Sequence, residues 1–134
     1  MSYVVWQEGE WFIAQCLDVD IASQGHSEDE AAENLRDALE LYFTPPVATS
    51  VPRVRKNRIR GAGVKPLPFR EVRRRLSKLG FVEVGQTGSH VKFIKVIDIG
   101  SMGVMVLKHK EVASGTLRSI LKQAGVPERE FGEL

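Results

Sequence analysis

The chain is predicted to be an α+β protein made of two small modules, and three observations carry that prediction. Patterned segments run strand, strand, strand, helix through the first fifty residues, then helix, three strands, helix. The charge changes sign between the two runs. Residues 1–50 hold ten acidic residues against one basic, a formal −9, and residues 51–134 hold eighteen basic against seven acidic, a formal +11. A joint over residues 44–66, first rich in Pro, Ser and Thr and then strongly basic, lies where the sign changes. A length of 134 residues suits one ordinary domain or two very small ones, and 43% apolar residues suffice for a packed core. The expected division is 1–60 for the first domain, 61–66 for a linker and 67–134 for the second.

Composition excludes several classes. No apolar run approaches the ~20 residues of a membrane span, and no basic stretch followed by an apolar core opens the chain, so neither membrane contact nor a secretory signal is expected. Cys16 stands alone, which removes disulfide frameworks and multi-cysteine metal sites and fits a reducing cytoplasm. The glycine-rich phosphate and dinucleotide fingerprints, the zinc-protease motif and the nucleophile elbow are all missing, so no cofactor and no metal are expected.

In the first module, Tyr3 to Gln7 and Trp11 to Cys16 are rich in β-branched and aromatic residues, with Glu8-Gly9-Glu10 as a short hairpin connection. Ile21 to Gln24 reads as a third strand ended by Gly25. Ser27-Glu28-Asp29-Glu30 is a capping box that opens a helix whose apolar face carries Ala31, Leu35, Ala38, Leu39, Tyr42 and Phe43. Pro45-Pro46 stops it. Within the joint, the basic stretch Val51 to Arg60 suits an edge strand closing the first sheet, and Gly61-Ala62-Gly63 is a break.

In the second module, Pro68 suits the first turn of a helix with Phe69, Val72, Leu76 and Leu79 on one face, Arg73, Arg74 and Arg75 towards solvent, and Gly80 just past its end. Strands are expected over Phe81 to Gly85, Ser89 to Ile97 and Val104 to Lys108, with Asp98 to Gly103 turning the chain. Ser114 is the expected cap of a last helix with apolar Leu117, Ile120, Leu121 and Ala124, and Gly125 ends it.

Three histidines are available for chemistry. His26 precedes a helix cap and reads as a solvated loop residue. His109, at a strand end before Lys110 and Glu111, is a candidate phosphate ligand or turn cap. His90 follows the small, open segment Gly85-Gln86-Thr87-Gly88-Ser89 and shares a strand face with Lys92, because side chains two apart point the same way. Helices on the opposite face would leave both looking at solvent. An imidazole can take or give a proton near neutral pH, and a neighbouring ammonium can hold a phosphate and offset developing charge. Such a pair can cleave RNA, whose 2′-OH is a built-in nucleophile; an inert strand histidine is the other reading of the same residues. Gly85-x-x-Gly88 also fits a backbone-clamping RNA loop, but the order of elements around it is wrong for that module.

Lys65-Pro66-Leu67-Pro68-Phe69-Arg70-Glu71-Val72, Leu79-Gly80-Phe81, Gly88-Ser89-His90-Val91-Lys92-Phe93, His109-Lys110-Glu111 and the run Gly115 to Gly125 together resemble the HicA toxins of bacterial toxin–antitoxin systems. The resemblance implies a fold like the double-stranded-RNA-binding domain (dsRBD-like, αβββα) and metal-independent mRNA cleavage with His90 as the catalytic residue. The first half, with Trp11-Phe12-Ile13-Ala14 and Gly25-His26-Ser27-Glu28-Asp29-Glu30-Ala31, resembles HicB antitoxins, which implies a partial RNase-H-like fold, βββα(β), that silences the toxin. Antitoxin and toxin are usually separate chains; here they are joined. The DNA-binding segment that many such antitoxins carry has its place taken by the joint and the toxin half, so operator binding is not carried over.

The resulting expectation is a fused antitoxin–toxin acting on mRNA. His90 is its general acid or base. Gly88, Ser89, Lys92, Arg73, Arg74, Lys108 and His109 are its RNA contacts, and Asp18, Asp20, Glu30, Glu33 and Asp37 its inhibitory face. The masking contact is expected within the chain or swapped between chains, with the tether keeping the partner at an effective concentration on the order of millimolar, and self-association as a homodimer is expected as well. The alternative is a non-catalytic RNA- or protein-binding adaptor, which needs the same basic surface but no proton transfer.

Overall fold

The computed structural model of the protein describes residues 1–49 and 64–134. The expected edge strand over 51–60 and the glycine break at 61–63 lie outside the described residues. The described chain is α+β, with two three-stranded antiparallel sheets and helices. Strands β1 (Tyr3–Glu8), β2 (Trp11–Cys16) and β3 (Ala22–Gly25) form the first sheet in that order, followed by helix α1 (Glu28–Tyr42). Helix α2 (Phe69–Lys78) leads into the second sheet, β4 (Val82–Thr87), β5 (His90–Ile97) and β6 (Gly100–Leu107), and then α3 (Ser114–Ala124) and α4 (Glu128–Gly132).

The first hairpin closes over Gly9-Glu10, with Glu8 paired to Trp11 and Gly9 at φ +61°, a conformation that glycine adopts without strain. Ser27 caps α1 by accepting the Glu30 N–H at 3.1 Å. Glu30 reaches back to the His26 N–H at 3.2 Å, one residue before the cap, so the capping box is displaced by a position. The buried face of α1 presents Ala31, Leu35 and Ala38 to Ala14, Cys16 and Ile21. Its last turn continues onto the second sheet, where Leu41 and Tyr42 join Met105 and the half-buried Ile94. Gly103 makes this approach feasible: a Cβ there would lie 3.1 Å from Ala48 Cβ and 3.4 Å from Tyr42 Cε1.

The second sheet has two faces of different character. Val91, Phe93, Val104 and Val106 pack under α2 and α3, meeting Phe69, Val72, Leu76, Leu117, Ile120 and Leu121, and Phe131 of α4 closes the end. Burying each such side chain stabilises by about 1.5–3 kcal/mol. Every buried residue of this cluster comes from 69–131, so the second half carries a complete core of its own.

Four sequence expectations need correction here. The strand expected from Val104 begins at Gly100, and the turn is the two residues Asp98-Ile99; the Gly-Ser-Met-Gly run has turn-like composition but sits in the ladder, from the Ile97–Gly100 pair to the Ile94–Gly103 pair. Ser114 is the first helical residue rather than the cap, which is Ala113, whose methyl group makes no capping hydrogen bond. Arg75 turns inward: its guanidinium lies 5.2 Å from the Phe131 ring centre and donates to the Phe131 carbonyl at 3.0 Å. Helix α4, which supplies that partner, was not anticipated because it is a short charged segment with one apolar anchor.

Candidate active site at the seam between the two halves

Strand alternation places His90, Lys92 and Ile94 on the face of the second sheet opposite α2 and α3. The sequence reading has that face looking at solvent, and the structure corrects this. The first half covers it, leaving His90 2% and Lys92 1% exposed. His90 Nε2 and Ser23 Oγ of β3 share a hydrogen bond of 3.2 Å. Burial disfavours the imidazolium and pushes the His90 pKa down to about 4; the Asp37 carboxylate on α1 opposes the shift, and His109 adds to it.

Lys92 Nζ donates to the carbonyls of Leu41 at 3.0 Å, Tyr42 at 3.1 Å and Thr44. They lie at and just past the C-terminal end of α1, whose last turn holds no basic residue, and the Leu41 carbonyl also accepts the Thr44 N–H at 3.2 Å. Burial pushes the Lys92 ammonium down from its ordinary range. In this closed arrangement its donors meet main-chain oxygens where the sequence suggested a phosphate.

The other two histidines lie along the same seam. Trp11 of β2 is held between His26, stacked at 4.3 Å, and His109, tilted at 5.2 Å, and its Nε1 donates to Glu111 Oε1 at 3.0 Å. Burial lowers the His109 pKa; His26 acts in the same direction and Glu30 against it. His109 Nε2 is buried without a hydrogen-bond partner.

The N-terminal end of α3 is bound from the first half as well. Gln24 Oε1 accepts the Ala113 N–H at 2.8 Å, its Nε2 donates to the Glu111 carbonyl at 2.9 Å, and Glu8 Oε1 accepts the Gly115 N–H at 3.0 Å. Arg118 stands 3.9 Å from Glu8. One turn on, Ser119 Oγ lies 3.0 Å from the Asp20 carbonyl and 3.2 Å from Asp20 Oδ1, and Lys122 Nζ lies 3.6 Å from Oδ2. Asp20 is 2% exposed, and burial raises its pKa against the lowering effect of Lys122.

The remaining expected residues are scattered. Gly88 and Ser89 form the exposed two-residue turn between β4 and β5, with Gly88 at φ +56°, and the Ser89 carbonyl accepts the Lys108 N–H. Lys108 is exposed close by. Arg73 and Arg74 are not brought near His90: they lie on α2, beyond the other face of the sheet, paired with Glu83 and Glu71. Of the acidic residues, Asp20 meets α3, Asp37 and Glu30 act on His90 and His109 through charge, and Glu33 is exposed. Asp18 is also exposed and accepts from the Ser2 N–H. Sequence reading missed Glu8, Trp11, Ser23 and Gln24, whose partners are about 70 to 110 positions away. Among the described residues, no group of three or more His, Cys, Asp or Glu is placed to hold a metal ion, and no helix is long and apolar enough to cross a membrane.

The segment that bears His90, Lys92 and His109 is similar to a known family. Residues 69–126 match the HicA toxin of bacterial toxin–antitoxin systems. The match covers somewhat under half of the chain, from the start of α2 to just past α3. No curated protein and no solved structure matches the chain. The HicA-like segment thus contains His90 and Lys92 of the sheet face and the α3 end, while Glu8, Trp11, Ser23 and Gln24, which pack against this side, lie outside it.

Proposed function

We propose that the chain is a fused antitoxin–toxin. In this reading residues 67–134 are a dsRBD-like HicA ribonuclease that cleaves mRNA with His90 as general acid or base. Residues 1–60 are a HicB-like, partial RNase-H-like inhibitor that keeps it shut, and the protein acts in the cytoplasm. The observation that carries the reading is the hydrogen bond between His90 of the HicA segment and Ser23 of the other half, on the sheet face that α2 and α3 leave free. An imidazole with a pKa near 4 and no access to solvent is a poor proton shuttle at neutral pH. Release of the first half returns it to water and frees Lys92 for a phosphate. Lys108 and the Gly88-Ser89 turn flank the opened face, and Arg73 and Arg74 add a more distant basic surface, so RNA affinity falls as salt rises.

Expression of residues 64–134 alone is the test. It arrests growth and cuts transcripts, His90→Ala abolishes both while retaining RNA binding, and residues 1–60 supplied separately restore growth. A folded 64–134 fragment that binds RNA and leaves it intact would make the protein an adaptor and end the ribonuclease reading.

A further inference from the structure

We propose, building on the ribonuclease reading above, that His109 is the second catalytic residue: His90 and His109 act as an acid–base pair on opposite sides of the scissile phosphate. Three observations converge on it. One residue, Leu107, ties together the backbones that carry both imidazoles, since His90 pairs with Leu107 across the β5–β6 ladder and the His109 N–H donates to the Leu107 carbonyl at 3.0 Å. The His109 carbonyl in turn accepts the Phe69 N–H at 3.3 Å, which ties the strand end to α2. The same β2–β3 hairpin covers both rings, Ser23 on His90 and Trp11 on His109. His109 Nε2 is buried without a partner, an arrangement that costs about 1–3 kcal/mol and serves no structural bond.

Cleavage without a metal asks for two proton transfers at oxygens on opposite sides of phosphorus, which a single imidazole is badly placed to perform. The neutral member takes the 2′-OH proton while the 2′-oxygen forms its bond to phosphorus. The P–O5′ bond breaks, and the protonated member gives its proton to the departing O5′. The products are a 2′,3′-cyclic phosphate and a 5′-hydroxyl. One proton has entered the pair and one has left it, and exchange with water resets the two rings. Lys92, relieved of the α1 carbonyls, faces the charge on the phosphoryl oxygens.

The test uses residues 64–134, whose core is complete, with His90→Gln and His109→Gln, each checked for folding by circular dichroism. Two RNAs are compared: an ordinary one, and one with sulfur replacing O5′ at the bond the wild type cuts, a leaving group that needs no proton. Both variants are expected to lose about 10²–10⁴-fold on ordinary RNA, with RNA affinity retained. One of them, and only one, recovers on the sulfur-linked RNA, and the wild-type rate against pH has two limbs. If His109→Gln cuts as fast as wild type while His90→Gln is dead, the pair is refuted and the ribonuclease stands. Rescue of neither or of both, or a loss at His109 that tracks lost RNA affinity, refutes the pair as well. Should His109→Gln fail to fold, a single-limbed wild-type profile overturns the proposal and a two-limbed one upholds it. A folded wild-type fragment that cuts nothing sinks the underlying ribonuclease reading along with the pair.

Discussion

Lys92 on β5 donates to the carbonyl of Tyr42, the last residue of α1, at 3.1 Å, so a lysine of one half caps a helix of the other. The reverse exchange occurs at α3: its first turn holds no acidic residue and its cap, Ala113, no hydrogen-bonding side chain, and Glu8 of β1 accepts the Gly115 N–H there. Each half thus supplies the charge that the other half's helix end lacks, positive at a C-terminus and negative at an N-terminus, as the helix dipole requires. The seam is held by a few buried, directed contacts more than by general attraction between an acidic and a basic surface.

Lys92→Met keeps the apolar stem and removes the ammonium. It leaves the Leu41, Tyr42 and Thr44 carbonyls without this donor in a buried place. The full chain is expected to lose about 2–4 kcal/mol in urea unfolding. The isolated 64–134 fragment, which has no α1 to cap, should lose little or gain.

Gly115→Ala is expected to change sign between the full chain and the fragment. A methyl group there would lie 2.6 Å from Glu8 Oε2 and 2.9 Å from Trp6 Cζ2, and Trp6 Nε1 holds that same Glu8 oxygen. In the full chain the Glu8 anchor is displaced, at a cost of about 1–2 kcal/mol. In 64–134 alone neither neighbour is present, and the exchange of glycine for alanine in a helix stabilises by up to about 1 kcal/mol. Paired melting curves decide it.

The order of elements from β1 to α3 was legible in the sequence because each depends on local pattern: alternation for β5, the Ser27 cap for α1, Gly125 at φ +68° after α3. The face of β5 that carries His90 was legible for the same reason. What covers it was not. The charge imbalance pointed to the acidic surface of α1, yet Glu33 is exposed, and the decisive contacts come from Ser23, Gln24, Trp11 and Glu8. A glutamate in a hairpin has no local signature of a helix cap, and a strand lysine none of a C-terminal one. These roles arise only from docking, which brings together residues about 50 to 107 positions apart.

Asp20 separates charge from hydrogen bonding at the seam. Its carboxylate is buried, with Gln15 donating to Oδ1 at 3.2 Å, Ser119 at the same oxygen, and Oδ2 lacking a hydrogen bond although Lys122 stands at 3.6 Å. Because burial outweighs the lysine and raises the Asp20 pKa, the charged form is held at a cost. Asp20→Asn is therefore expected within about 1 kcal/mol of wild type, whereas Asp20→Ala, which removes one acceptor from Gln15 and from Ser119 and leaves them the Cys16 and Asp20 carbonyls, costs about 1–3 kcal/mol. A loss from Asn as large as that from Ala would show that the Lys122 pair dominates.

Acid should loosen the seam through His90. Its pKa in the closed chain is lowered from 6.5 to about 4 by burial, against the pull of Asp37 and with the push of His109. The open or unfolded chain therefore binds more protons than the closed one between those values, and the stability of the closed state rises with pH there. The His90 contribution is whole above pH 6.5, declines as pH falls towards 4, and amounts to about 3 kcal/mol. His109, also lowered by burial, acts in the same sense. Asp20, raised by burial, acts in the opposite sense, because the closed chain holds its proton more readily than the open one. The net slope is thus a difference, and a second variant isolates it. Trp11, between His26 and His109, reports opening by its fluorescence. The urea midpoint followed by that signal should fall between pH 7.5 and pH 4.5, and His90→Gln, which keeps a hydrogen-bonding side chain against Ser23, should flatten most of the fall. An unchanged slope in His90→Gln would locate the acid sensitivity elsewhere, with His109→Gln as the next variant to read.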